Sequence, residues 1–217
     1  MIFYAKSDSK LELDIHTRMV KEKFEDLLRL KKEYFSNEEI AMIMIACHYH
    51  DIGKINTIFQ ERIINKRTIK QIPHGYLSIL LMDWKDNKEL LTNRKMFKVV
   101  LNAVYFHHRR ENYKHDEIID FSIKYLQENA NAYFGKEVRL QTSNLQIDIY
   151  DYESNCEMVE EFWYQYVIVK GILNKCDWSA SGNLEIEISA KESINKNIKK
   201  QFSELRPLQK FMKNHSN

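Results

Sequence analysis

The sequence predicts an all-α, mainly helical fold, with short strands or a β-hairpin as an option near 144–150 and 184–188. Three observations carry this. Only 5 Gly and 2 Pro occur in 217 residues, too few turn formers for an all-β chain. Apolar residues recur at helical spacing through most of the length. The stretches that alternate instead are Leu145, Ile147 and Ile149, then Leu184, Ile186 and Ile188.

The totals exclude several classes. Hydrophobic residues make up 44% and charged residues 29%, as in ordinary soluble globular proteins. A net charge of +2 is too small for a dedicated nucleic-acid coat, so any such binding rests on local patches. Cys47, Cys156 and Cys176 are odd in number and form no CxxC. That fits a reduced, cytoplasmic protein rather than a disulfide scaffold or a thiolate zinc site. The N-terminus lacks the layout of a signal peptide, and the apolar run Ile40 to Cys47 is far too short to span a bilayer, so no membrane is expected as a partner. One domain is expected over 1–190, followed by a basic linker or tail over 191–217. From Lys191 to Lys213 that tail carries seven basic residues against two acidic ones.

The elements follow in order. Leu13 to about Lys32 reads as a helix, with Ile15, Val20, Phe24, Leu27 and Leu28 at helical spacing. His16 shares the face of Val20 and Phe24. Ser36 and Glu39 form a capping box that opens the next helix. Its stripe of Ile40, Ile43 and Cys47 is extended by His50, and Gly53 is expected to end it as a left-handed cap. His48 lies roughly 200° around the helix from His50 and is left out of the site. From Lys54 to Lys70 five basic side chains (Lys54, Arg62, Lys66, Arg67 and Lys70) stand against Glu61 alone. Such a run is usually a solvated face, but beside a metal site it suits a phosphate backbone.

Pro73 marks a helix start, with His74 in its first turn. Arg94 to His108 reads as a helix that ends on His107 and His108. One further helix is expected from Ile118 to Ala132. A long aromatic helix runs from Glu157 to Cys176, with Asp177 four residues after Leu173. His115-Asp116 serves as a control. With 8 His and 11 Asp among 217 residues, a bare His-Asp pair arises by chance less than once. This one lacks an apolar helix before it and a Gly-Lys after it, and reads as surface.

Each histidine alone is weak as a ligand candidate. His16 is by itself more often a satisfied core histidine, and His107 and His108 by themselves read as helix caps. Together, His16, His50, Asp51, His74, His107, His108 and Asp177 each fall at a helix face or end that turns inward. The ordered set resembles the HD metallohydrolase superfamily. More narrowly it resembles the HD nuclease domain of the CRISPR-associated helicase-nuclease of type I systems. The matching segments are His50-Asp51-Ile52-Gly53-Lys54 with Phe59-Gln60, His74-Gly75-Tyr76-Leu77-Ser78, His107-His108, and Cys176-Asp177-Trp178-Ser179-Ala180-Ser181. Arg109-Arg110 and Gly182 depart from the pattern. Leu205-Arg206-Pro207-Leu208-Gln209-Lys210 looks like the segment that opens a superfamily 2 helicase domain.

The resemblance implies an HD-domain fold and a dinuclear-metal nuclease acting on single-stranded DNA in antiviral defence, endonucleolytic with an exonucleolytic option. It implies one metal held by His16, His50, Asp51 and Asp177 and another held by Asp51, His74, His107 and His108. A paired-metal site activates water at neutral pH and offsets phosphoryl charge. Five histidines against two carboxylates favour Mn, Fe, Co or Ni over Mg. Asp51 and Lys54 are the expected catalytic pair, with Lys54 on the scissile phosphate. Lys54, Arg62, Lys66, Arg67, Arg109, Arg110 and Ser181 are the expected DNA contacts. A helicase domain or subunit and the CRISPR surveillance complex are the implied partners. An HD phosphohydrolase for nucleotides or cyclic nucleotides is the alternative, and a metal-bound scaffold without hydrolysis is a third reading.

Overall fold

The computed structural model describes residues 1–6, 9–65, 71–108, 113–146 and 156–186. Among these, nine α-helices and no strand are found, apart from one isolated antiparallel bridge between Tyr4 and Glu12. Residues Met1–Leu184 form one compact unit.

Helix α1 spans Leu13–Lys31 and buries Leu13, His16, Val20 and Phe24 along one stripe. Helix α2, Asn37–Tyr49, opens on the expected capping box: Ser36 Oγ accepts from the Glu39 amide at 3.1 Å, and the Ser36 amide donates to Glu39 Oε2 at 2.8 Å. The helix ends at Tyr49, and a 3-10 turn over Ile52–Ile55 follows. The expectation that Gly53 ends the helix as a left-handed cap is therefore wrong. Among the described glycines only Gly135 has a positive φ. Gly53 serves close approach instead. A Cβ there would stand 2.2 Å from the carbonyl oxygen of His74 and 2.7 Å from the amide nitrogen of Ser78.

Helix α3 covers Thr57–Asn65, and α4 covers His74–Leu80 directly after Pro73. Short α5, Trp84–Asn87, leads to α6, Arg94–Tyr105, where Asn93 Oδ1 caps the Met96 amide at 3.1 Å. Such a cap contributes about 1 kcal/mol. Helix α6 stops three residues short of the expected His108, so His107 and His108 fall just beyond its end. The single helix expected over Ile118–Ala132 is two: α7, His115–Tyr125, and α8, Gln127–Phe134. Ser122 Oγ donates back to the Ile118 carbonyl at 2.6 Å, a contact that bends helices, and the break follows at Leu126.

Helix α9 runs over Cys156–Ser181, five residues past the expected Cys176. It closes where Asn183 takes a positive φ of 49° and the Leu184 amide reaches back to the Ser179 carbonyl at 2.8 Å, the bond of a Schellman end. Helix α9 packs against α1, α2 and α6, and the 3-10 turn Ile52–Ile55 lies on α4. The core between them holds Val20, Phe24, Ile43, Cys47, Val100, Val104, Val169 and Leu173, all with zero accessible surface.

The strand option fails where it is described. Thr142–Leu145 is a 3-10 turn, pinned to the end of α4 because Asn144 Nδ2 donates to the Ile79 and Met82 carbonyls, both at 2.8 Å. Residues 184–186 form no strand, and 147–150 and 187–188 lie outside the described residues. So do the tail from residue 191 and Lys66, Arg67, Lys70, Arg109 and Arg110. Among the described residues no helix is long and apolar enough to cross a membrane.

Candidate metal centre

Five elements meet at Asp51. Helix α1 brings His16, the end of α2 brings His50 and Asp51, the start of α4 brings His74, the end of α6 brings His107 and His108, and the last turns of α9 bring Asp177. Because α9 continues to Ser181, Asp177 is held within a helix rather than on a loop.

The two oxygens of Asp51 face different histidines. Oδ2 lies 3.2 Å from His16 Nε2 and 3.4 Å from His50 Nε2. Oδ1 lies 2.9 Å from His74 Nε2 and 3.8 Å from His107 Nε2. Asp177 Oδ1 completes the first side, 3.1 Å from His16 Nε2 and 3.8 Å from His50 Nε2. On the second side His74 Nε2 and His107 Nε2 are only 3.1 Å apart, and the His108 ring lies 5.1 Å from that of His74 between centroids. Donor atoms of His16, His50, Asp51 and Asp177 thus lie within 4.8 Å of one another, and so do those of Asp51, His74, His107 and His108. Asp51 belongs to both groups.

The residues fit a metal. His50 Nδ1 bonds the Cys47 carbonyl at 3.0 Å and His107 Nδ1 bonds the Val104 carbonyl at 2.5 Å. A ring nitrogen can meet a carbonyl only as an N–H donor, so in the neutral ring Nε2 carries the lone pair, and both lone pairs turn to the centre. Buried polar atoms ordinarily have partners. Here His50 Nε2 is buried with no hydrogen-bond partner among the described residues, and buried Asp51 Oδ1 has only histidine nitrogens beside it. A cation relieves both.

Without a cation the two sides of the cluster carry charge differently. Burial alone depresses His50, but Asp51 and Asp177 overcome it and hold the ring up to about 10. His16 is also raised: burial opposes protonation, and hydrogen bonds to Asp177 and Asp51 outweigh it. On the other side burial wins. His107 is pushed down to about 4 and His74 well below its usual value. Asp51 and Asp177 are held well below the usual carboxylate range, because their histidine neighbours outweigh the burial that opposes ionisation.

A sequence model of the Cas3 HD domain matches residues 11–184, most of the chain. The chain belongs to the Cas3 HD family. It is accordingly an HD-type, metal-dependent nuclease domain, and its paired His/Asp clusters are consistent with a dinuclear site. No curated protein and no solved structure matches the chain.

The other residues singled out in this Cas3 HD domain distribute unevenly. Lys54 Nζ donates to Asp51 Oδ2 at 2.6 Å. Arg62 does not touch the cluster but stacks over Phe59 at 5.0 Å, on the same ring that Lys54 approaches at 5.6 Å. Ser181 Oγ lies 3.3 Å from Asp177 Oδ1, and the Ser181 carbonyl accepts from Lys6 Nζ. His48 points away, with Nδ1 3.1 Å from Lys21 Nζ, and His115 and Asp116 are exposed.

Three supporting residues were not assigned roles from sequence. Ser78 Oγ donates to the His50 carbonyl at 3.0 Å and accepts from the Gly53 amide at 2.9 Å, so one hydroxyl ties α4 to the His-Asp turn. Asn56 Nδ2 donates to the Gly53 carbonyl at 2.7 Å, and Asn56 Oδ1 caps α3 through the Phe59 amide. Gln60 Nε2 donates to the carbonyls of Lys54 and Tyr4, and its Oε1 accepts from the Tyr4 amide. Ser78 and Gln60 stand within quoted motifs, which signals their importance but not their task. Asn56 carries no such signal.

Proposed function

We propose that this domain hydrolyses phosphodiester bonds of single-stranded DNA in CRISPR interference, endonucleolytically and also from free ends. The observation that carries this reading is the division of Asp51: one carboxylate, two oxygens, two separate histidine groups. His16, His50, Asp51 and Asp177 would hold one metal, and Asp51, His74, His107 and His108 would hold the second. When bound, a metal pair supplies Lewis-acid charge and a water acidic enough to attack at neutral pH. With five histidines and two carboxylates, Mn, Fe, Co or Ni suits the site better than Mg.

The chain's own residues do the rest. His50 and His107 are oriented by carbonyls behind them, so the donor set is ready before substrate arrives. Asp51 stays ionised throughout the working pH range. Lys54 leaves Asp51 and places its ammonium on the scissile phosphate as a point charge. Arg62, held beside it over Phe59, tracks the next phosphate, with Lys66, Arg67, Arg109, Arg110 and Ser181 continuing the contact. Asp51 is 1% exposed and His50 fully buried, a recess that a flexible single strand enters more readily than a duplex. The basic tail over 191–217 leads into a helicase domain or meets a helicase subunit, and the surveillance complex delivers the strand. The protein works in the cytoplasm.

The test is cleavage of a labelled single-stranded oligodeoxynucleotide with each of Mn, Fe, Co, Ni and Mg. Cleavage abolished in Asp51→Ala supports the reading. Turnover of mononucleotides with indifference to the polymer replaces it with a nucleotide phosphohydrolase.

A further inference from the structure

Phe59 stands beside the metal centre without being a ligand. Its ring meets the His74 ring edge-on, 6.2 Å between centroids. Lys54 Nζ lies 5.6 Å from the Phe59 centroid, and Arg62 Cζ lies 5.0 Å from it. Both fall inside the roughly 6 Å over which the negative face of an aromatic ring attracts a cation. The ring itself is held firmly. Phe59 is buried, and its amide donates to Asn56 Oδ1 at 2.9 Å. Asn56 Nδ2 in turn donates to the Gly53 carbonyl at 2.7 Å. One buried side chain thus ties the ring to the turn that carries Asp51.

The two cations differ in what else holds them. The Lys54 side chain is only 12% exposed and donates to Asp51 Oδ2 at 2.6 Å. A buried charge needs a partner. Asp51 Oδ2 also faces His16 and His50, so the ammonium competes for an oxygen of the donor set. Once that oxygen serves as a ligand, the ring face is the attractive surface that the ammonium keeps. Arg62 is exposed and lies three residues after Phe59 on α3, the spacing at which helix side chains meet. Lysine and arginine are long side chains that lose rotamer freedom when they bind, so holding them beforehand raises affinity.

We infer that Phe59 is a positioning residue: its ring holds Lys54 and Arg62 together as a pair of cations for the phosphates of the bound strand. The inference rests on the single-stranded DNA reading above. It adds that phosphate binding depends on an aromatic face as well as on the two charges.

The test grades the charge on that face while nearly preserving the ring's shape. Ring fluorine withdraws electron density from the face, so fluoro-, difluoro- and trifluorophenylalanine at position 59 of the full chain weaken a cation contact in steps. Binding of a fluorescent single-stranded oligodeoxynucleotide is read by anisotropy in EDTA, where no cleavage occurs. Affinity is expected to fall stepwise, by roughly 2- to 30-fold across the series, the scale of one or more cation–ring contacts. In the Lys54→Met, Arg62→Gln background the series is expected to be flat within about twofold, because no cation is left for the ring to hold. Arg62→Gln alone, an exposed substitution, shrinks the loss where the double variant does not fold. A ring that only fills space weakens binding equally in every background. That result overturns the role, and so does a flat series with both cations in place. Metal-dependent cleavage of the oligonucleotide by wild type is measured in parallel. Its absence sinks the nuclease reading, whereas cleavage with a flat series sinks the Phe59 role alone.

Discussion

Gly53 and His74 touch backbone to backbone: a single carbon added at Gly53 would stand 2.2 Å from the His74 carbonyl oxygen. This contact seats the turn carrying Asp51 on the start of the helix carrying His74. It fixes the 2.9 Å approach of His74 Nε2 to Asp51 Oδ1. Gly53→Ala must therefore move one of the two elements. Overpacking of this kind costs about 1–3 kcal/mol. The expected result is a lowered melting temperature together with loss of metal from the His74 side, read by thermal unfolding and metal analysis of the same sample. A variant that keeps full metal content and stability contradicts this role.

Among the described residues, Lys54 and Asp51 form the shortest contact between a cation and the cluster, at 2.6 Å. An ammonium there competes with a metal for the same oxygen. Lys54→Ala is expected to bind metal as tightly as wild type or tighter, yet to cleave DNA about 100-fold more slowly, the usual scale for losing one transition-state charge contact. Titration calorimetry and single-turnover cleavage separate the two effects. Weaker metal binding in Lys54→Ala contradicts the assignment.

The two histidine groups differ in the pH dependence of metal binding. His50 is held up to about 10, so at neutral pH a proton occupies the place of a metal there, and His16 is shifted in the same direction. Metal must displace that proton, and its affinity falls as pH falls. His107 is pushed down to about 4 and His74 is lowered as well, so that side is already neutral. From pH 6 to 9 affinity is expected to climb at the His16–His50 side and to stay level at the His74–His107 side. Calorimetry in buffers of different ionisation enthalpy counts the protons released. Equal release from both sites contradicts the pattern.

Gln60 makes three side-chain hydrogen bonds to backbone, two to Tyr4 and one to Lys54. Gln60→Leu preserves volume and removes all three. Each such bond contributes about 0.5–1.5 kcal/mol net, and the buried backbone groups left behind add to the loss. A destabilisation of about 2–4 kcal/mol is expected on that scale, measured by denaturant unfolding. A change below about 0.5 kcal/mol, the ordinary scatter of surface substitutions, contradicts the role.

The helices and the inward faces were legible because apolar spacing marks a buried stripe. His16 lies on the stripe of Val20 and Phe24, and the structure buries it there. The capping box at Ser36 also reads directly, since both of its partners lie within four residues. What could not be read is set by distant partners. Gly53 looks like a helix stop, and only the neighbouring α4 reveals that its missing side chain makes room for His74. The Gln60 bonds to Tyr4 cross 56 residues. The extension of α9 beyond Cys176 depends on Asn183 taking the left-handed turn, one residue after Gly182. The alternation at Leu145 resembles a strand, but Asn144 finds the carbonyls at the end of α4 and the backbone turns.

The central claim is that Asp51 bridges two metals. Anomalous diffraction from crystals of the metal-loaded protein tests it most directly, because it counts, identifies and positions the ions together. The account predicts two peaks roughly 3.5–4 Å apart, with one Asp51 oxygen toward each. A single peak, or two peaks that do not share Asp51, contradicts it.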